Sequence, residues 1–445
     1  MISTDEDVRA AIERELPGVR GDLEQLIRIP GVAFPGFDHA HLDRSAAAVA
    51  ELLRGCGLEV RIARAGGQPA VIGRRPAPHG APTVLLYAHH DVQPAGDLAL
   101  WDSDPFEPVE RDGRLYGRGA ADDKAGVMAH VAALRALGDD LPVGVVVLVE
   151  GEEEYGSDSL DRLITDHVEW LRSDVIVVAD SDNWEIGRPA LTTSLRGVVS
   201  CFVEVSTPHG DVRGGPVRDA LTVLSRLLST LHDDDGEVAV DGLLGRPGTG
   251  VDYPPDRLRQ EAGVLDGVRL IGNGRLADRL WTKPAIAVLG IDAPPAGRAL
   301  HALSHRAKAK ISVRLAPGDD PASAYAAVCA HLRARVPWGA GLEVSLESSG
   351  APCVVDATGR AYHTARAACT TAWDGTAPVD IGIGGSIPAV AIFQRRFGET
   401  AILVTGIEDP YCAAHGPNEG LHLAEFARTC LAEALLLRNL ARIPG

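Results

Sequence analysis

The stretch "EGEEEYGS" (150–157) sets Glu150, Glu152, Glu153 and Glu154 within five positions, directly after the apolar run 143–149. Carboxylates this close repel one another, so something must offset them. A solvated loop would do so, and so would a helix N-terminus, which favours acids. A bound cation is the third reading. Three more groups share this chemistry: "HHD" (89–91), "ADDK" (121–124) and "ADSD" (179–182). Taken singly, a His-Asp pair suits a loop, an Asp before a helix suits an N-cap and a Glu run suits a solvated face. Taken together they exceed what capping explains and favour a metal centre.

The elements that must position these groups are legible around them. "TVLLYA" (83–88), "VGVVVLV" (143–149) and "DVIVVA" (174–179) are short, β-branched apolar runs, as strands covered on both faces require. Between the first two, 122–137 carries apolar residues at helical spacing, which is βαβ logic and predicts a mainly parallel sheet. In such a sheet the carboxyl ends of the strands border the ligand crevice, and each acidic or imidazole group follows one of these strands or opens the helix after one. From Arg196 the texture changes. "GVVSCFVEV" (197–205) alternates as a half-exposed strand, a helix is expected near 217–231, and a polar stretch rich in Gly, Pro and Asp follows. A strand at 307–315, a helix at 320–335 and a strand at 342–348 complete a second set. The fold class expected is α/β: a catalytic domain with a mainly parallel central sheet flanked by helices (1–195 and 350–445), interrupted by an inserted α+β lid or dimerisation domain (196–349). The helices 358–373 and 421–440 return to the first domain.

A chain of 445 residues exceeds what one core usually serves. Apolar residues at 45% and charged residues at 23% are ordinary for a globular enzyme. A net charge of −18 argues against nucleic acid or an anionic membrane surface as partner. No stretch approaches ~18 consecutive apolar residues, and the acidic start "MISTDEDVRAAIERELPG" fits neither a signal nor a transit peptide. Seven scattered cysteines with no CxxC pair suit reduced thiols, and the expected compartment is the cytoplasm.

The ordered series "YAHHDVQP" (87–94), "WDSDPFEP" (101–108), "LYGRGAADDKAG" (115–126), "EGEEEYGS" (150–157), "LWTKPAIAVLGI" (280–291), "GGSIP" (384–388) and "AHGPNEG" (414–420) resembles the M20 metallopeptidases over residues 20 to 435. The branch most similar is that of dipeptidases and carnosinases, related to carboxypeptidase G, acetylornithine deacetylase and succinyl-diaminopimelate desuccinylase. The resemblance implies two divalent ions, usually Zn²⁺, with Mn²⁺ or Co²⁺ compatible with the same donors. It assigns His89, Asp122 and Asp180 to one ion and Asp122, Glu154 and His415 to the other, Asp122 bridging. Asp182 lies on the same strand face as Asp180 and is its alternative. Asp91 would orient the His89 imidazole. Glu153 would be the general base for a metal-bridging water, which leaves Glu152 without a role, and the Asp122–Asp123 peptide would be cis.

For the substrate, the resemblance gives His209 as an oxyanion stabiliser reaching a dimer partner's site, Arg314 as a clamp for the free carboxylate, and the backbone amides of Gly385 and Ser386 as further anion donors. The plain alternatives are a surface histidine, a salt bridge on the lid sheet and an ordinary turn. Three departures bear on the pocket: Gly382 and Ile383 stand where the family has Arg-Glu, "HALSHRA" (301–307) lacks the family's proline, and "HGD" (209–211) replaces "HSG". The expected activity is hydrolysis of a small amide with a free carboxylate, a dipeptide first, with an N-acyl-amino-acid deacylase or carboxypeptidase as the alternative within the fold. A catalytically inactive binding protein is the alternative from another class. The expected partners are the small substrate and a second copy of the chain in a homodimer, with no nucleic acid and no membrane.

Overall fold

The apolar runs form the centre of a mixed sheet. In the computed structural model, which describes residues 4–207, 216–248, 250–398 and 400–441, the strand order is Glu59–Ala63, Ala70–Arg75, Gly144–Glu150, Thr83–His89, Val175–Val178, Ala401–Thr405 and Ala190–Leu195. Thr83–His89 runs parallel to both neighbours, and Ala401–Thr405 parallel to Val175–Val178. Four adjacent strands therefore end at the same edge. The outer pairings are antiparallel.

Every residue of Gly144–Glu150 and Val175–Val178 is buried, the signature of strands covered on both faces. The helix Lys124–Leu137 packs on Thr83–His89 and against the helices Asp5–Ile27 and Leu423–Leu440. Pro388–Phe397 packs on Ala401–Thr405, and its Phe393 meets the Tyr87 ring edge-on at 5.4 Å. Beside the main sheet, Val109–Arg111, Arg114–Tyr116 and Gly420–His422 form a small antiparallel sheet.

The chain divides into two compact units, Met1–Thr193 with Val355–Ile381 and Ile387–Gly445, and Ser194–Val354 with Gly382–Ser386. The second unit is a four-stranded antiparallel sheet in the order Ala285–Asp292, Arg306–Leu315, Gly197–Ser206, Gly341–Gly350. Alternation decides its faces: Val199, Cys201, Val203 and Val205 point with Ile311 and Val313 into one core beneath the helices Ala220–Ser229 and Pro321–Arg335. The short turn Gly382–Ser386 groups with this unit because Arg196 holds it. Its amide donates to Ile383 O at 3.2 Å and its Nε to Gly384 O at 3.0 Å.

The helices expected at 217–231, 320–335 and 358–373 are Ala220–Ser229, Pro321–Arg335 and Arg360–Ala372. The polar stretch that sequence left without elements contains the short helices Pro255–Glu261 and Leu276–Trp281. Too few apolar residues recur there to show a helical period. No helix among the described residues is long and apolar enough to cross a membrane.

Candidate metal centre

His89 is the last residue of its strand, Glu150 ends the next, Asp180 lies two residues beyond the third, and Ala401–Thr405 leads into the loop carrying Glu408 and His415. The four parallel strand ends therefore deliver these groups to one edge. His89 Nε2 lies 3.0 Å from Asp122 Oδ1 and 3.9 Å from Asp180 Oδ1. His415 Nε2 lies 2.9 Å from Asp122 Oδ2 and 3.1 Å from Glu154 Oε2. Asp122 thus turns one oxygen to each imidazole. His89, Asp122, Asp180, Glu154 and His415, separated by up to 326 positions, are brought together.

Asp91 differs in detail from the orienting role expected. His89 Nδ1 lies 3.1 Å from the Asp91 carbonyl oxygen and 3.5 Å from its carboxylate. That carboxylate accepts the backbone N–H of Glu153 at 3.2 Å and of Glu154 at 3.1 Å. Asp91 therefore fixes the histidine and the acidic turn at once. Asp180, and not Asp182, joins the clusters found among the described residues; Asp182 forms a parallel bridge with Glu408. Glu152, left without a role above, accepts Gln68 N at 2.9 Å and Ser159 N at 2.6 Å, so it ties down the chain around it.

Several residues escaped the sequence reading. Asp123, joined to Asp122 by a cis peptide, accepts the His89 and Gly126 amides, each at 3.1 Å. Together with His89 and Asp180 it offers ligand atoms within 4.8 Å of one another. The sequence signal was the doubled acid of "ADDK", of which one member was used. Gln93 donates from its amide to Glu154 Oε2 at 2.8 Å and from its backbone to Oε1 at 3.1 Å, fixing that carboxylate. Glu408 clusters with Asp122 and Asp180. It follows Ala401–Thr405, a strand the sequence reading had not assigned, so nothing aimed it at the site.

The electrostatics express the crowding. Burial, then the charges of Asp180, Glu154 and Asp122, push the Glu153 carboxyl well above the usual range. Burial raises Asp180 to about 7 against the pull of His89, with Asp122 and Glu154 adding to the rise. Hydrogen bonds from His415 and His89 outweigh burial and hold Asp122 below the usual carboxylate range. His415 rises to about 11 through Asp122 and then Glu154. Two imidazoles and several carboxylates converging on shared points form a nitrogen-oxygen donor set that suits borderline and hard divalent cations. Such charges would relieve the repulsion. The residues fit a pair of divalent ions, for which Asp122, with one oxygen turned to each imidazole, would be the shared ligand.

In the second unit, Arg314 lies on Arg306–Leu315 opposite Val198, partly buried, and no side-chain partner is found for it among the described residues. Arg196, which the sequence marks only as the start of the inserted domain, gives its guanidinium to the carbonyls of Gly384, Arg279 and Lys283. Burial and then the Arg314 cation lower it to about 10. Gly385 and Ser386 sit in the turn that Arg196 holds, just before Pro388–Phe397. The departure at 382 has a steric reason: a Cβ there would lie 2.7 Å from Trp281 Cβ and 2.8 Å from Ser194 Oγ, so only glycine fits. His209 lies outside the described residues.

The model of peptidase family M20/M25/M40 matches residues 85–439. A cysteinylglycine-S-conjugate dipeptidase of Corynebacterium striatum is 36% identical over 379 residues, covering 82% of this chain and 83% of that protein. A beta-Ala-His dipeptidase of Rattus norvegicus is 32% identical over 339 residues, covering 70% and 68%. The crystal structure of human carnosine dipeptidase 1 superposes with a TM-score of 0.81 at 25% identity, covering 99% of this chain and 100% of that one. The structure of the di-peptidase Dug1p of Saccharomyces cerevisiae reaches 0.84 at 24% identity with both chains fully covered, a likeness of fold.

Proposed function

The chain belongs to peptidase family M20/M25/M40 and is a hydrolase of the M20 metallopeptidase type, and from that premise we propose that it cleaves the amide bond of dipeptides or similar small substrates bearing a free carboxylate. The observation that carries this reading is the placement of Asp122, with its two oxygens 3.0 and 2.9 Å from the imidazoles of His89 and His415. One ion is assigned to His89, Asp122 and Asp180 and the other to Asp122, Glu154 and His415, most readily Zn²⁺, with Mn²⁺ or Co²⁺ served by the same donors. When bound, such ions lower the pKa of an attached water and polarise the scissile carbonyl.

Glu153 is the base. No hydrogen bond to its carboxyl is found among the described residues, while its backbone N–H is held by Asp91. It takes a proton from the attacking water and returns it to the leaving amine. Arg314, a cation without a partner among the described residues, receives the substrate's carboxylate as a fork; the amides of Gly385 and Ser386 add donors, and His209 steadies the oxyanion. The dipeptide preference is supported by the two dipeptidases above, each more than 30% identical.

A homodimer through the inserted unit belongs to the same proposal. Ala285–Asp292 is an edge strand exposing Val288, Leu289 and Ile291, and an apolar open edge invites pairing. Seven free cysteines support a reducing, cytoplasmic setting. The deciding experiment is a panel of dipeptides and N-acyl-amino acids read as amine release with added Zn²⁺, Mn²⁺ or Co²⁺, beside the Glu153→Ala variant. Dipeptide hydrolysis abolished by that substitution is expected. Activity on acylated amino acids alone refutes the dipeptidase reading, and metal binding without any hydrolysis leaves a binding protein.

A further inference from the structure

Arg118 and Glu419 have no part in the chemistry above, yet they are among the most buried charges in the molecule, 1% and 0% exposed. The antiparallel pairing of Gly420–His422 with Arg114–Tyr116 brings them side by side across 301 positions. Glu419 Oε2 accepts from Arg118 Nη1 at 2.7 Å and from Gly119 N at 2.9 Å; its Oε1 accepts from Ala121 N at 2.8 Å and Asp122 N at 3.0 Å. One carboxylate thus gathers the backbone up to and including Asp122. From the other side, Arg118 Nη2 donates to Gly416 O at 2.9 Å, the residue next to His415.

The loop so held needs holding. Ala413, His415 and Asn418 all adopt left-handed backbone, with φ of 54°, 61° and 59°. Such conformations are disfavoured for residues with a Cβ and persist where the surroundings over-determine them. The His415 side chain is itself 59% exposed, and the polar partners found for it among the described residues are Asp122 and Glu154, so an imidazole this open depends on its backbone being fixed.

We infer that the buried Arg118–Glu419 ion pair is a positioning device that sets His415 against Asp122 and so controls the affinity of the ion assigned to Asp122, Glu154 and His415. Glu419 fixes the Asp122 backbone and Arg118 fixes the His415 loop; one ion pair ties the two together. The inference rests on the two-metal reading. It predicts an asymmetry between the ions: Asp122 is shared, but His415 hangs on the loop that Arg118 holds, whereas His89 and Asp180 take no hydrogen bond from either partner, so the ion they hold with Asp122 loses less.

The test is a titration of the metal-stripped protein with Co²⁺, followed by visible absorption and calorimetry, for wild type, Glu419→Gln, Arg118→Met and the conservative Arg118→Lys. Wild type is expected to take two ions. Glu419→Gln and Arg118→Met should hold the ion of Asp122, Glu154 and His415 about 10–100-fold more weakly, the usual effect of losing a partner behind a ligand, and the other ion with a clearly smaller loss. Excess Co²⁺ should restore kcat with KM unchanged, which a general loss of packing would not allow. Arg118→Lys keeps the charge and cannot serve Glu419 and Gly416 together, so it should weaken the same ion by less and remain folded if the other two do not. Equal weakening of both ions, or no weakening in any variant, overturns the inference. A wild type that binds no Co²⁺ overturns the two-metal reading and this inference with it; two ions held unchanged by every variant overturn this inference alone.

Discussion

The two units treat buried charge in opposite ways. In the first, nearly every acid near the parallel strand ends has its backbone or carboxylate fixed: Asp91 by the amides of Glu153 and Glu154, Glu154 by Gln93, Asp123 by the amides of His89 and Gly126. In the second, Arg314 is partly buried with no partner among the described residues, and Arg196 next to it spends its guanidinium on three carbonyls that cannot neutralise it. A pre-ordered polar network gives up adaptability for geometry, which is what ligating and proton-transfer groups need. A cation without a partner among the described residues is the opposite provision, and under the proposed function its charge would serve a carboxylate that comes and goes.

The sharpest way to break this comparison is at Glu153. If the first unit is ordered for proton transfer, Glu153→Gln should lower kcat by about 10²–10⁴-fold while leaving metal content and KM nearly unchanged. Steady-state kinetics beside elemental analysis would decide it. A loss under tenfold would mean that the order around Asp91 serves stability alone.

Next in size are the cores. Leu86 and Leu224 are 0% and 1% exposed, one in the central sheet and one beneath the antiparallel sheet. Replacing either by alanine should cost about 2–5 kcal/mol. Because the units have separate cores, calorimetry should show Leu224→Ala shifting one transition and Leu86→Ala another; a single transition moved equally by both would join the units into one cooperative body.

At Arg314 the expected loss is smaller and of a different kind. A charge-assisted hydrogen bond to a carboxylate contributes about 1.5–3 kcal/mol, so Arg314→Met should raise KM about 10–100-fold and change kcat little. With a substrate whose carboxylate is amidated, wild type and variant should behave alike. A fall in kcat with KM intact would place Arg314 among the ordered groups and erase the contrast.

How much of this was legible in the sequence follows from the physics of each element. Apolar runs such as "VGVVVLV" announce buried strands by composition alone, and the acids after them inherit a position from the rule that parallel strands end at the crevice. The groups "HHD", "ADDK", "EGEEE" and "ADSD" are placed that way, while the resemblance singles out His89, Asp122, Glu154 and Asp180 within them and adds His415. Ala401–Thr405 is as apolar as the others and was not assigned as a strand; with it went Glu408. Glu59–Ala63 and Ala70–Arg75 carry charges on an outer sheet position, so they lack the run that marks a central strand. Gln93, Arg118 and Glu419 stand inside quoted motifs, yet their roles are defined by partners far along the chain, 61 positions off for Gln93 and about 300 for the other two, and no spacing rule reaches that far. Gly382 could not be interpreted until Trp281 was seen beside it.

The smallest effect tests whether the second unit's exposure is real. Lys310 Nζ lies 2.7 Å from Glu347 Oε2 on the sheet face away from the helices, with the side chains 37% and 32% exposed. A pair this open is screened and contributes about 0.2–1 kcal/mol, so Lys310→Ala should lower the stability of that unit by no more than this, and less still at 1 M salt, where the Debye length falls to about 3 Å. Chemical denaturation at two salt concentrations measures it. A loss several times larger and indifferent to salt would mean that this face is covered in solution, by a second copy of the chain for example. The contrast between a closed unit and an open one would then belong to the isolated chain only.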